Sequence, residues 1–260
     1  MGTSNLYKGP KGSSLLPADY TGEPDEQPDV ATVGAAPEEE QPSVTWTQAK
    51  RTFSSQIGKP KPDVKWVAKT YTKASGGYEH AARTSGSSKQ VARSIINFFS
   101  GTPAGIRQRL EQLGIVFEGR STQEIFNDIY SHLCTGASSR EDALADNALS
   151  QTFSELFESE LLNEQGDVFT PVLLEFMVTH FITNSIYFKL LNEVSFGELT
   201  GNKSNADIAR IEEDLKTFID GLVSGRVSEH LHEGIMPNEI NKLVDNLYED
   251  CYKVMEGLAE

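Results

Sequence analysis

The sequence predicts an all-α protein: a helical body behind an unstructured amino-terminal tail. Three observations predict it. From Trp46 onward apolar residues recur at three- and four-residue spacing, and no run alternates with period two over a useful length. The periodic segments open on Ser, Thr or Asn and close on Gly, the residues that satisfy helix ends. The stretch "PADYTGEPDEQPDVATVGAAPEEEQP" is rich in Pro, Gly and acid and poor in large apolar groups. Such a segment cannot bury enough surface to offset its ordering entropy. We therefore divide the chain into a flexible tail, 1–44, and a helical domain, 45–260, with no fixed-period repeat.

The elements follow in order. "SVTWTQAKRTFSSQIG" starts after Ser43 or Thr45 and stops at Gly58. "PDVKWVAKTYTKASGG" places Val64, Val67, Ala68 and Tyr71 on one face and ends at Gly76-Gly77. Ser87 is the expected cap of "SKQVARSIINFFSG", with Val91, Ala92, Ile95, Ile96 and Phe99 inward. Thr102 caps "TPAGIRQRLEQLG", with Pro103 at the first helical position, where its missing N–H costs nothing. Ser121 and Glu124 stand at capping-box spacing. A long helix runs from about Arg140 to Asn163, and Thr170-Pro171 opens an apolar helix to about Val194. Asn205 is the expected cap of the next helix, with Ile208, Ile211, Leu215, Ile219 and Leu222 inward. Pro237 opens the last, with Ile240, Leu243, Val244, Leu247, Cys251, Val254 and Leu258 inward.

Charge divides the chain differently. The net charge of -15 resolves into -6 over residues 1–45, +9 over 46–120 and -18 over 121–260. Overall acidity argues against general nucleic-acid binding. The basic middle keeps open a local nucleic-acid contact or a meeting with an acidic protein surface. Lys69, Lys73, His80, Arg83, Lys89 and Arg93 form the candidate docking patch; alternatively, His80 and Arg83 simply share an exposed helix face. Trp46 and Trp66 sit in amphipathic helices and read as core anchors. The two cysteines, Cys134 and Cys251, make neither a disulfide framework nor a zinc site, and both are expected inside helices. No apolar run is long enough for a membrane span, and the first thirty residues lack a secretory h-region. The expected location is the cytoplasm.

No catalytic constellation is visible. "GNKS" at 201–204 lacks the second glycine of a phosphate-cradling loop, and neither His-Glu-x-x-His nor Gly-x-Ser-x-Gly occurs. His230 and His232 are two apart, so on a helix they point away from each other. We expect no metal and no cofactor of the chain's own, and no enzymatic activity.

The reactive feature is Gly2, which becomes the amino terminus once Met1 is removed. An α-amine titrates near 7.7–8.0 and a lysine near 10.4, so at pH 7.5 roughly a third of the former is neutral against about 0.1% of the latter. Gly2 is therefore a better nucleophile than Lys8 or Lys11, and glycine leaves the attack uncrowded. Thr3, Ser4 and Asn5 are short and polar, and Gly9-Pro10 suits a peptide threading a narrow channel. Leu6 stands where N-myristoylation needs Ser or Thr.

"MGTSNLYKGPKG", the acidic Pro-rich stretch, "WTQAKRTFSSQIG" and "YTKASGGYEHAARTSGSSKQVARSIINFFSG" together resemble the QatB family, the small helical component of the bacterial Qat anti-phage system. Met-Gly-Thr-Ser, Gly9-Pro10, and Gly76-Gly77 followed by Ala81-Ala82-Arg83 carry the likeness. The chain departs after Ser14, with "LLPADY" where relatives carry a Trp. The resemblance implies three partners: a QueC-like enzyme (QatC), an ATPase and a TatD-like nuclease. It further implies that the QueC-like enzyme, using ATP, joins the Gly2 amine to a 7-deazaguanine base. Thr3, Ser4, Asn5, Gly9 and Pro10 would enter that enzyme's active site while the helical body docks it.

Overall fold

A computed structural model describes residues 44–162, 168–194, 203–231 and 239–258. The chain divides into two units, Met1–Glu40 and Gln41–Glu260, and every described residue lies in the second. The described residues form helices and no strand, as the spacing predicts: α1 Trp46–Gln56, α2 Val64–Ala74, α3 Tyr78–Arg83, α4 Gly86–Phe99, α5 Pro103–Gln112, α6 Thr122–Leu133, α7 Arg140–Glu158, α8 Pro171–Val194, α9 Asn205–Leu231 and α10 Ile240–Glu256. A single 3-10 turn covers Glu160–Leu162.

The centre is α8. It is apolar nearly all round, from Leu173 through Met177, Phe181 and Ile186 to Leu190, which is the pattern of a helix covered on every side. It packs chiefly between α7 and α9, with α4, α1 and α2 completing the sheath. A second layer forms where α10 closes over α2, α3, α4 and α9. Phe99, Phe126 and Phe169 stack at 6.0–6.4 Å, with Phe153 against Phe126, joining α4, α6 and α7 to the start of α8. Two buried tyrosines keep their hydroxyls hydrogen-bonded: Tyr248 to Ser185 at 2.7 Å and Tyr252 to Ser85 at 3.4 Å. No described helix is long and apolar enough to cross a membrane.

The Gly76-Gly77 pair explains itself here. Both residues hold positive φ, +92° and +88°, which side chains resist and glycine accepts. Their N–H groups close the end of α2 on the carbonyls of Lys73 and Thr72. The next N–H, of Tyr78, donates to the Glu256 carboxylate at 2.8 Å, so α10 caps α3. Ala81 and Ala82 are buried, and their small side chains let α3 lie close on α10.

Several expectations need correction. The helix assigned to a Ser87 cap begins earlier, at Gly86 after Ser85. Ser87 instead turns its N–H to Glu141 at 3.0 Å and its hydroxyl to Asp142 at 2.7 Å, bracing α4 on α7. Ser204, not Asn205, caps α9, its hydroxyl accepting from the Asp207 N–H at 3.1 Å. The long helix stops at Glu158, because the Ser159 hydroxyl takes the Leu156 carbonyl at 2.7 Å and the chain tightens. Trp46 and Trp66 are 37% and 45% exposed, and Leu258 is 57% exposed past the Gly257 cap. Phe157, Ile208, Leu222, Leu243 and Val254 are half-buried at the core's margin. Cys134 lies at the C-cap of α6 instead of inside a helix. Asn163 and Pro237 fall outside the described residues.

Candidate functional site

Gly2, Thr3, Ser4, Asn5, Gly9 and Pro10 also lie outside the described residues, as do His232 and the "GN" of "GNKS". The candidate docking patch is divided by the fold. Lys69, His80 and Arg83 are exposed and Lys73 is half-buried. Lys89 and Arg93 both reach Asp245 on α10 at 2.9 Å, so they tie α4 to α10. Arg120 is likewise engaged, with Asp128. Arg109 donates to the carbonyls of Ser100 and Phe98.

Two clefts flank α1 and α2. The first, about 430 Å³, lies between them and is lined by Val44, Gln48, Arg51, Thr52, Ser55, Trp66 and Thr70. The second, about 290 Å³, is walled by Trp46, Tyr71, His80, Arg140, Glu141 and Glu193, with Lys189 facing it from α8. Lys189 Nζ donates to the Thr84 carbonyl at 2.6 Å and to the Thr84 and Ser85 hydroxyls at 2.9 Å, and lies 3.3 Å from the Ala81 carbonyl. These acceptors include carbonyls at the end of α3, where the helix leaves its own unpaired. Burial nevertheless dominates and brings the Lys189 amine down to about 8. A second amine with α-amine-like acidity is thus built into the body. Its donors are committed, which separates its acidity from its availability.

The best-developed polar cluster was not legible in the sequence. Glu155 of α7 accepts from His180 Nδ1 at 2.6 Å, Lys216 Nζ at 2.5 Å, Gln151 Nε2 at 3.0 Å and Asn184 Nδ2 at 3.2 Å. Burial alone would push this carboxyl up. The donors from His180, Lys216 and Gln151 outweigh it and hold the carboxyl down at about 2. His180 stacks on Phe176 with ring centroids 3.9 Å apart. The cluster borders a cleft of about 240 Å³ with Glu213, Thr217 and Asp220 on its rim. Asn184 also donates to Thr152 at 3.1 Å, while its Oδ1 is buried without a partner. The arrangement joins α7, α8 and α9 through one carboxylate. Among the described residues no group of three or more His, Cys, Asp or Glu gathers as a metal site. His230 faces Asp250 at 3.9 Å.

The fold and its surfaces define an all-helical protein with a basic amino-terminal hairpin, α1–α2, set on an acidic body. The family model described as "Qat anti-phage system associated protein QatB" matches residues 76–255, and the chain belongs to that family. It is a component of Qat anti-phage defence and works with other Qat components. No curated protein and no solved structure matches the chain.

Proposed function

We propose that the chain acts in Qat defence as a protein substrate and adaptor and is not itself an enzyme. With Met1 removed, the Gly2 amine attacks a 7-deazaguanine carboxyl that a QueC-like enzyme has activated with ATP. An amide forms, the nucleotide leaves with the acyl oxygen it carried, and the neutral amine gives up one proton, keeping its other N–H in the amide. The helical body holds the enzyme while this happens, and the ATPase and TatD-like nuclease act on or beside the product. The observation that carries the reading is the family match over residues 76–255, joined to the Met-Gly-Thr-Ser start.

Acidity alone does not single out Gly2, because Lys189 also titrates near 8. Lys189 Nζ, however, is committed to Thr84 and Ser85, which withholds it from attack. A chain extended at its amino terminus should lose both modification and anti-phage protection, and Gly2→Pro should impair both, while the helical body keeps its circular dichroism. Full protection by the extended chain would overturn the proposal. The alternative, a nucleic-acid adaptor using residues 46–120, draws less support, since Lys89, Arg93, Arg109 and Arg120 are engaged within the fold.

A further inference from the structure

The α1–α2 hairpin differs from the rest of the body in charge. Between Trp46 and Gly77 it carries seven Lys or Arg residues against Asp63 alone. None of the seven makes an ion pair among the described residues. Lys65, Lys69 and Lys73 repeat every fourth position of α2, so they form one stripe. Like charges at that spacing weaken a helix, and among the described residues no carboxylate pairs with them. Further along, the same residue types are paired: Lys89 and Arg93 with Asp245, Lys216 with Glu155.

Beside the stripe stands Trp66, 45% exposed. It walls the 430 Å³ groove with Val44, Gln48, Arg51, Thr52 and Thr70. An exposed tryptophan rimmed by unpaired cations is the surface expected of an interface centre, where aromatic residues and Arg are enriched. Val44, which lines the groove, is the first described residue after 1–43. A partner bound there sits at the root of the segment that ends in Gly2. Delivery of Gly2 to that partner then becomes an intramolecular event at raised effective concentration.

We propose that this hairpin is where the body binds the enzyme that acts on Gly2, through an acidic segment of that enzyme bearing one aromatic or branched aliphatic side chain. The side chain fills the groove beside Trp66, and the carboxylates around it meet Arg51, Lys65 and Lys69. The identity of the partner rests on the substrate reading above; the chemistry of the contact does not. A polypeptide fits better than a nucleic acid. The groove is lined by Val44, Thr52 and Thr70 around one cation, Arg51, and one aromatic ring, Trp66, and not by the series of rings on which successive bases stack. Residues 121–260, at net -18, repel a long polyanion that runs past the hairpin.

The test uses the full chain and the purified QueC-like component. Binding is measured for the wild type, Trp66→Ala and the double variant Lys65→Glu/Lys69→Glu, and Gly2 modification is scored by mass in the same samples. Both changes lie on exposed positions, and circular dichroism checks the fold. Each should weaken binding at least tenfold, and the charge reversal should flatten its salt dependence. Variants that bind as the wild type does, or a wild type that does not bind, overturn the proposal; modified Gly2 in those samples would leave the substrate reading standing. Weakened binding with no Gly2 modification anywhere would keep the docking surface and remove the substrate reading. A photo-crosslinker replacing Ser55 should join the enzyme. A cross-link to residues 1–43 of the chain itself, or displacement of the enzyme by an oligo-dT strand that binds the hairpin directly, would assign the surface to another occupant and overturn the proposal.

Discussion

Glu155→Gln tests whether one carboxylate joins α7, α8 and α9. The fold holds this carboxyl at about 2, against an ordinary glutamate value of 4.5. At 1.36 kcal/mol per pKa unit, the native state favours the ionised form by about 3 kcal/mol. His180 and Lys216 are each about a third exposed, and solvent screens part of that. We expect a net loss of about 2 kcal/mol at pH 7, with Tm lower by about 4–8 °C for a domain of this size. The sign with pH is fixed. A carboxyl whose folded value lies below its unfolded value stabilises above about 4.5 and loses that contribution as pH falls toward about 2. Urea unfolding followed by circular dichroism, at pH 7 and again at pH 3, reads both. The gap between wild type and variant should shrink by more than half at pH 3. A variant within about 0.5 kcal/mol of wild type at pH 7, or a gap unchanged at pH 3, would refute the account of this cluster.

Other expectations concern single groups. Brief acylation at pH 8, mapped by peptide mass, should mark Gly2 well before Lys189, despite their similar acidity, because Lys189 Nζ is hydrogen-bonded to Thr84 and Ser85; equal labelling would contradict the availability argument. Gly77→Ala should cost about 1–3 kcal/mol in urea unfolding, since φ +88° with ψ 173° is a conformation essentially restricted to glycine. A Cβ there meets nothing nearer than Glu256 Oε2 at 3.7 Å, so the cost comes from φ of +88°. Cys251, buried and pushed up to about 12, should resist iodoacetamide at pH 8 until the chain is unfolded, whereas half-buried Cys134 should react slowly in the native state.

Helices were legible wherever a local signal carried them. The capping box at Ser121–Glu124 and the Thr102-Pro103 start depend on residues at most three apart, while the choice between Ser43 and Thr45 is settled by the Thr45–Gln48 capping box of the structure. The double glycine reads as a terminus, and its positive φ values bear that out. The errors arose where a distant partner decides. Ser87 has the chemistry of a cap, but Glu141 and Asp142 on another helix take both its donors. Trp46 and Trp66 occupy apolar positions of amphipathic helices, and periodicity cannot report that the described elements leave them 37% and 45% exposed. The same limit hid the Glu155 cluster, whose members Glu155, His180 and Lys216 stand 25 and 61 positions apart from the carboxylate. Lys189 lies within an apolar helix, and only the end of α3, supplying carbonyls from Ala81 and Thr84, gives it a role. Charge by segment is more informative: the basic block contains the hairpin whose cations make no ion pair among the described residues.

The central claim is a covalent bond at Gly2, and mass reads it most directly. The chain is co-expressed with an active QueC-like component, purified, weighed intact, and digested to isolate the amino-terminal peptide. The account predicts loss of Met1 and a gain of one 7-deazaguanine-carbonyl unit confined to the peptide beginning at Gly2, absent when the enzyme is inactivated. An unmodified Gly2 beside demonstrably active enzyme, or the added mass on Lys189 or any other lysine, would contradict it.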